Sequence, residues 1–149
     1  MAVDPRVAAM RAWAADLRLM TGVRPWGGSY VNAPTVELAF RTINQAPRYP
    51  HVCLLPFPGS MVKTATLDGT SYDDFYQAGV LGYVIGSPDV PVTEALDQLN
   101  RDCKITLLRS QPPGLLKDIV FGEESVSFYD NGLAEFELPF TAQLRDALA

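Results

Sequence analysis

Histidine and cysteine are scarce in this chain: His51, Cys53 and Cys103 are all it has of either in 149 residues. A Ser/His/Asp triad needs a histidine base, so any such chemistry would rest on His51 alone. The cysteines are too far apart for zinc-ligand spacing and too few for a disulfide framework, so reduced, buried thiols are expected. Charge is also low. Charged residues make up 19% of the chain, against about 25% in ordinary globular domains. That deficit points to apolar surface kept for a partner. The net charge is −5 and no basic run occurs, which argues against nucleic-acid binding by phosphate neutralisation, and no sequence-specific nucleic-acid partner is expected. No apolar run approaches the roughly 20 residues of a membrane span, so no membrane partner is expected. The N-terminus shows no basic segment followed by an apolar core, so a chain made and first folded in a cytosol is expected. The length fits a single domain over 1–149. A chain of this size buries roughly 70% of its unfolded surface and needs no metal or disulfide to fold.

The strongest pattern lies in the last third. Val126-Ser127-Phe128-Tyr129-Asp130 precedes Asn131-Gly132, and a second run extends from Leu133 to Gln143. In that run Ala134, Phe136, Leu138, Phe140 and Ala142 share one face, and Glu135, Glu137, Pro139, Thr141 and Gln143 share the other. Such alternation predicts a half-buried antiparallel strand. Asn-Gly predicts the hairpin turn, because a type I′ turn needs φ > 0 at both central residues.

Upstream, Asp4 is a candidate N-cap and Pro5 suits the first position of a helix. Its apolar stripe would be Val7, Met10, Trp13, Leu17 and Met20, with Gly22 as the stop. Residues 23–34 are rich in glycine and proline and read as a loop or extended arm. Val36, Leu38 and Phe40 alternate with polar neighbours as a strand, and Val52–Leu55 is a short apolar strand. Residues 60–73 read as a projecting hairpin or long loop, with a turn signal at Asp68-Gly69, and long loops in compact domains are usually functional. Phe75–Ile85 is a long strand whose glycines, Gly79 and Gly82, predict a bulge or a close backbone approach. A second helix follows with the stripe Val92, Ala95, Leu96, Leu99 and Cys103, capped by Asp89 or Thr93. Its polar residues, Asp102 among them, are expected on the solvent side, and it ends near Leu108. Leu116–Phe121 adds a short strand. The fold class is therefore α+β: a mixed, mostly antiparallel sheet flanked by two helices, with a projecting hairpin arm and a C-terminal hairpin.

Candidate chemistry is thin. His51 and Cys53 share a strand face, so a Cys–His pair is conceivable, but nothing marks the electropositive pocket that a cysteine nucleophile needs; a structural histidine is the favoured reading. Asp68, Asp73 and Asp74 lack the spacing of a calcium loop. Glu123-Glu124 reads as a solvated acidic loop. No catalytic, cofactor-binding or metal residue is assigned. Trp13 is expected in the core. Trp26, in the Gly/Pro loop, is balanced between core and contact.

Three segments carry a family resemblance: Gly82-Tyr83-Val84-Ile85, the helix Val92-Thr93-Glu94-Ala95-Leu96-Asp97-Gln98-Leu99-Asn100-Arg101-Asp102, and Gly132-Leu133-Ala134-Glu135-Phe136-Glu137-Leu138. In element order over residues 5–143 the chain resembles the tail terminator proteins of long-tailed bacteriophages. The resemblance implies a non-enzymatic virion protein of the tail or neck, assembled in the host cytoplasm. It implies a homohexameric ring that caps the tail tube, ends polymerisation and meets the head–tail connector or stopper protein. In contractile tails the ring also holds the last sheath ring, and the genome would pass through its lumen. No cofactor is implied.

A closed ring needs two different complementary patches on each subunit. Composition, rather than any family motif, nominates the 56–74 arm as one patch, lying on a neighbour's sheet edge, with Met61, Val62, Tyr72 and Phe75 as anchors. Arg24 and Trp26 are candidate contacts with the tube or connector. Deleting the arm is expected to leave a folded monomer that forms no rings. The competing readings are a connector or stopper ring, a monomeric adaptor, and a small α+β enzyme or ligand-binding domain, which would need a concave pocket exposing His51 or Cys53.

Overall fold

The computed structural model describes residues 4–20, 34–57, 63–65 and 71–147. Its elements are helix α1 (Pro5–Arg18), β1 (Thr35–Glu37), a 3-10 turn over Ile43–Gln45, β2 (His51–Pro56), β3 (Lys63–Ala65), β4 (Ser71–Ile85), α2 (Val92–Arg109), β5 (Val120–Phe121), β6 (Ser125–Phe128) and β7 (Leu133–Ala147). The strands form one sheet in the order β1-β2-β4-β7-β5, with β3 beside β4 and β6 beside β7. Among the described strands only β1 and β2 run parallel; the other pairings are antiparallel. The α+β class with its two helices and mostly antiparallel sheet is thus the observed one.

β4 and β7 form the spine. They pair without a break from Ser71↔Ala147 to Ile85↔Leu133. Constant register over that length fixes which side chains face the helices. On β7 these are Ala134, Phe136, Leu138, Phe140, Ala142 and Leu144; on β4 they include Tyr76, Ala78, Val80 and Val84, and all of them are buried. Val52 and Leu54 extend this face across β2. α1 and α2 cover it, and Trp13 meets Phe140 edge-to-face at 5.0 Å. Such a pair contributes about 0.5–1.5 kcal/mol beyond the area buried.

The glycines of β4 make no bulge, since the register runs straight through them. They are places of close approach. A Cβ on Gly82 would lie 2.2 Å from the ring of Phe136, its partner on β7, and a Cβ on Gly79 would lie 2.2 Å from the ring of Phe57. The one shift in strand count falls elsewhere. Phe121 opposes Phe140 and Ser125 opposes Glu137, so residues 122–124 face only Leu138 and Pro139. The extra residue is a bulge on the edge. Pro139 turns its carbonyl to Gly122 N–H there (2.8 Å), so the ladder bond that proline cannot make is missing only at the bulge, where proline is tolerated.

α1 begins as expected, with the Asp4 carboxylate accepting the Arg6 N–H at 2.9 Å. Its buried positions are Ala9, Met10, Trp13, Ala14, Leu17 and Met20; Val7, expected among them, is 40% exposed. The alanines face inward in its place, so Val7 falls on the flank of the buried arc. The helix ends at Arg18; Gly22 lies outside the described residues. α2 has no side-chain cap, and Pro91 holds the N-cap position proposed for Asp89 or Thr93. Asp102, expected in solvent, is fully buried. Spacing decides this: position 102 lies three after Leu99 and four before Thr106, on the stripe itself.

β1 stops at Glu37 rather than running on through Phe40, because a parallel partner requires the chain to leave the sheet and cross over. Leu38 and Phe40 are accordingly exposed. β3 pairs with residues 72–74 of β4, which matches the expected hairpin, but Ser71–Asp74 belong to the spine. A deletion through residue 74 would cut β4, so an arm can extend no further than the residues before Ser71. The terminal hairpin has positive φ at both Asn131 and Gly132, as expected. Its loop is one residue longer than a two-residue turn, because Tyr129 opposes Leu133 and Asp130 joins the loop. The expected strand over 116–121 is reduced to β5 and a bridge from Leu115 to Leu144.

Replacing Gly82 with alanine should cost about 1–3 kcal/mol through overpacking against Phe136, read from the urea midpoint. Gly79→Ala should cost less, because the half-buried Phe57 can turn aside. Equal losses at the two positions would contradict this account.

Candidate functional site: an acidic groove on the second sheet face

The face of the sheet away from the helices is only partly covered. Residues 38–50 cross it between β1 and β2, and Ile43 packs there on Cys53 and Tyr83. The crossover is pinned by two phenols: Tyr49 donates to Ile43 O at 2.6 Å, and Tyr83 donates to Arg41 O at 2.5 Å. Burial, foremost, raises the Tyr83 pKa, so it stays a donor.

Under the crossover lies a polar cluster. His51 is buried, with Nδ1 2.5 Å from Thr35 Oγ1 and Nε2 2.8 Å from Glu37 Oε1. Glu37 also pairs with Arg41. Burial alone would raise the Glu37 carboxyl, but hydrogen bonds from His51 and Arg41 and the Arg41 charge hold it below the usual carboxylate value. Cys53, two residues along β2 from His51 and opposite Glu37, has its thiol pKa raised, first by burial. Glu37, His51 and Cys53 bring ligand-type atoms within 4.8 Å of one another. The arrangement nonetheless fits a metal poorly. Both imidazole nitrogens are engaged and a guanidinium already pairs with the carboxylate, so a metal would have to displace partners that are in place. It fits a cysteine nucleophile no better, since burial works against the thiolate.

The open part of this face is a groove of about 570 Å³ between the crossover and the terminal hairpin. Exposed Phe40 and Tyr129 wall it, with Leu81 and Leu133 also lining it. Its polar atoms come from Thr42, Asn44, Asp130, Asn131, Glu135 and Glu137. Alternation on β7 sends both glutamates to this side. The hairpin turn brings Tyr129 over them, and its hydroxyl donates to Glu135 Oε1. That bond to the carboxylate is the main reason the Tyr129 pKa is raised. Ser125 Oγ donates to Glu137 Oε2 at 3.4 Å. Among the described residues no cation lies within ion-pair distance of Asp130, Glu135 or Glu137. Acids elsewhere are paired in part: Asp73 with Arg145 at 2.9 Å, its pKa lowered foremost by that bond, and Glu124 with Lys104.

The nominated contact residues are not brought together. Arg24, Trp26, Met61 and Val62 lie outside the described residues. Tyr72 is a backbone position of β4 between Ala65 and Asp146. Phe75 is half-buried on β4 opposite Gln143, on the second face but outside the groove lining. The groove residues were missed by sequence reasoning, although Glu135 and Glu137 alternate visibly beside a hairpin turn.

No protein-family model matches this sequence, and no curated protein matches it significantly. Among solved structures, the chain is similar to one from the virion of a native gene transfer agent (GTA) particle, with a TM-score of 0.66. The alignment covers 97% of this chain and all of the other, at 11% identity. At that identity the likeness is one of fold.

Two outcomes follow from the buried cluster. Neither Cys53 nor Cys103 should react with a thiol reagent until the protein unfolds, since both are fully buried; rapid labelling of the native protein would contradict this. Glu37 should contribute stability that is complete above its unfolded value of 4.5 and lost as pH falls through its lower native value. Thermal melts of Glu37→Gln should therefore show a shallower loss of Tm on acidification than the parent.

Proposed function

We propose that this chain is a structural subunit of a phage-type virion, and specifically a tail terminator. In this reading a ring of copies closes the head-proximal end of the tail tube, ends its polymerisation and presents a surface to the head connector. The observation that carries the reading is the fold shared end to end with a chain of a gene transfer agent virion. The sequence resemblance to tail terminators points the same way. A low charge content and an exposed, aromatic-walled groove agree with a protein whose surface is meant for other proteins. The role needs no chemical step, which accords with a sole histidine that is buried with both nitrogens engaged. Partners in this reading are further copies of the chain, the tube protein, the connector or stopper protein and, in a contractile tail, the sheath.

The test is removal of the protein from particle assembly in the producing cell. Headless tails of uncontrolled length, restored to one length by supplying the protein again, are expected. Headless tails of normal length would assign the chain to the connector or stopper instead. Normal particles would contradict a structural role altogether.

A further inference from the structure

The groove has an apolar floor and three carboxylates with no cation within ion-pair distance among the described residues. The opposite side of the molecule has the complementary feature. The solvent-facing stripe of α1 runs Val7, Arg11, Ala15, Arg18, with Leu19 just beyond the helix end; each is exposed. From Val7 to Leu19 it carries two guanidiniums, Arg18 Nε donating to Val36 O at 3.4 Å; Asp4, in line with it at the N-cap, is already paired with Arg6, and the neighbouring Asp16 accepts the Ser110 hydroxyl. Val7 is 40% exposed and Leu19 68%, so the stripe is apolar at both ends. Beside it Val7, Arg11 and Leu38 line a shallow groove of about 450 Å³. Arg11 and Arg18 stand about 10 Å apart along the helix. Glu135 and Glu137 stand about 7 Å apart along the strand, with Asp130 beyond the turn.

We propose that the α1 stripe of one copy seats on the Tyr129–Glu135–Glu137 groove of the next copy. This rests on the ring reading above and names the two patches that reading requires. The occupant is chosen by charge. Groove against groove would set carboxylates against carboxylates, and stripe against stripe would set guanidiniums together, so both two-fold arrangements are repulsive. Stripe against groove is attractive, and because the patches lie on opposite faces of the sheet, each copy keeps one of each free for a further neighbour. That is the heterologous contact from which rings close. Arginine suits it, since its planar fork binds carboxylates in pairs and stacks on aromatic rings such as Phe40 and Tyr129.

The experiment is sedimentation of the full-length protein over a wide concentration range, alone and with tail tubes, for the parent, Arg11→Glu, Glu137→Arg and the double variant. Both positions are exposed, and unchanged thermal midpoints will show that the folds are intact. Each single reversal should weaken self-association about tenfold or more, the double variant should recover most of it, and added salt should weaken the parent. A parent that assembles while both single variants assemble equally well overturns this contact and leaves the ring reading standing. A double variant no better than the singles overturns it too. A parent that never assembles, alone or on tubes, removes the ring reading and this contact together.

Discussion

The unbroken pairing of β4 with β7 is the constraint on which the molecule depends. Two long strands in constant register sort every side chain between two faces, and a slip of one residue would turn the buried row outward. That row includes Phe136, whose ring fills the space left by Gly82 across the ladder. Every other strand except β1 attaches to this pair, and both helices are held by the apolar face it creates. The same sorting sends Glu135 and Glu137 to the second face, where the groove forms. Core and candidate interface are thus two sides of one periodic segment.

Much of this was legible in the residues. The alternation from Ala134 to Ala142, the paired positive φ values at Asn131-Gly132, the Asp4-Pro5 start of α1 and the α2 stripe are local signals, and each appears in the fold. What failed was what only tertiary context fixes. Val7 followed the helical period but lost its place to alanines that pack closer to the sheet. Asp102 was placed by its charge although its spacing put it among Leu99, Cys103 and Thr106. Leu38 and Phe40 alternated like a strand, but a parallel β1–β2 pair forces the chain off the sheet after Glu37. The groove was not legible, because it arises where the crossover over residues 38–50 faces a hairpin distant in sequence.

The polar cluster under the crossover shows how chemistry-type residues can be bound into structure. His51, Glu37, Thr35, Arg41 and Tyr83 satisfy one another and tie β1, β2 and β4 to the crossover. A network of this kind, buried at His51 and Tyr83 and reaching solvent at Arg41, rigidifies the element above it. Here that element forms one wall of the groove, so the cluster acts on the candidate interface by holding Phe40 and Thr42 in place.

The account's central claim is that this chain sits where a tail meets a head. The most direct measurement is electron microscopy of purified particles labelled with an antibody against the full-length protein. Label confined to the head–tail junction is the predicted result. Label along the head shell, at the distal tail tip, or absent from intact particles would contradict the claim.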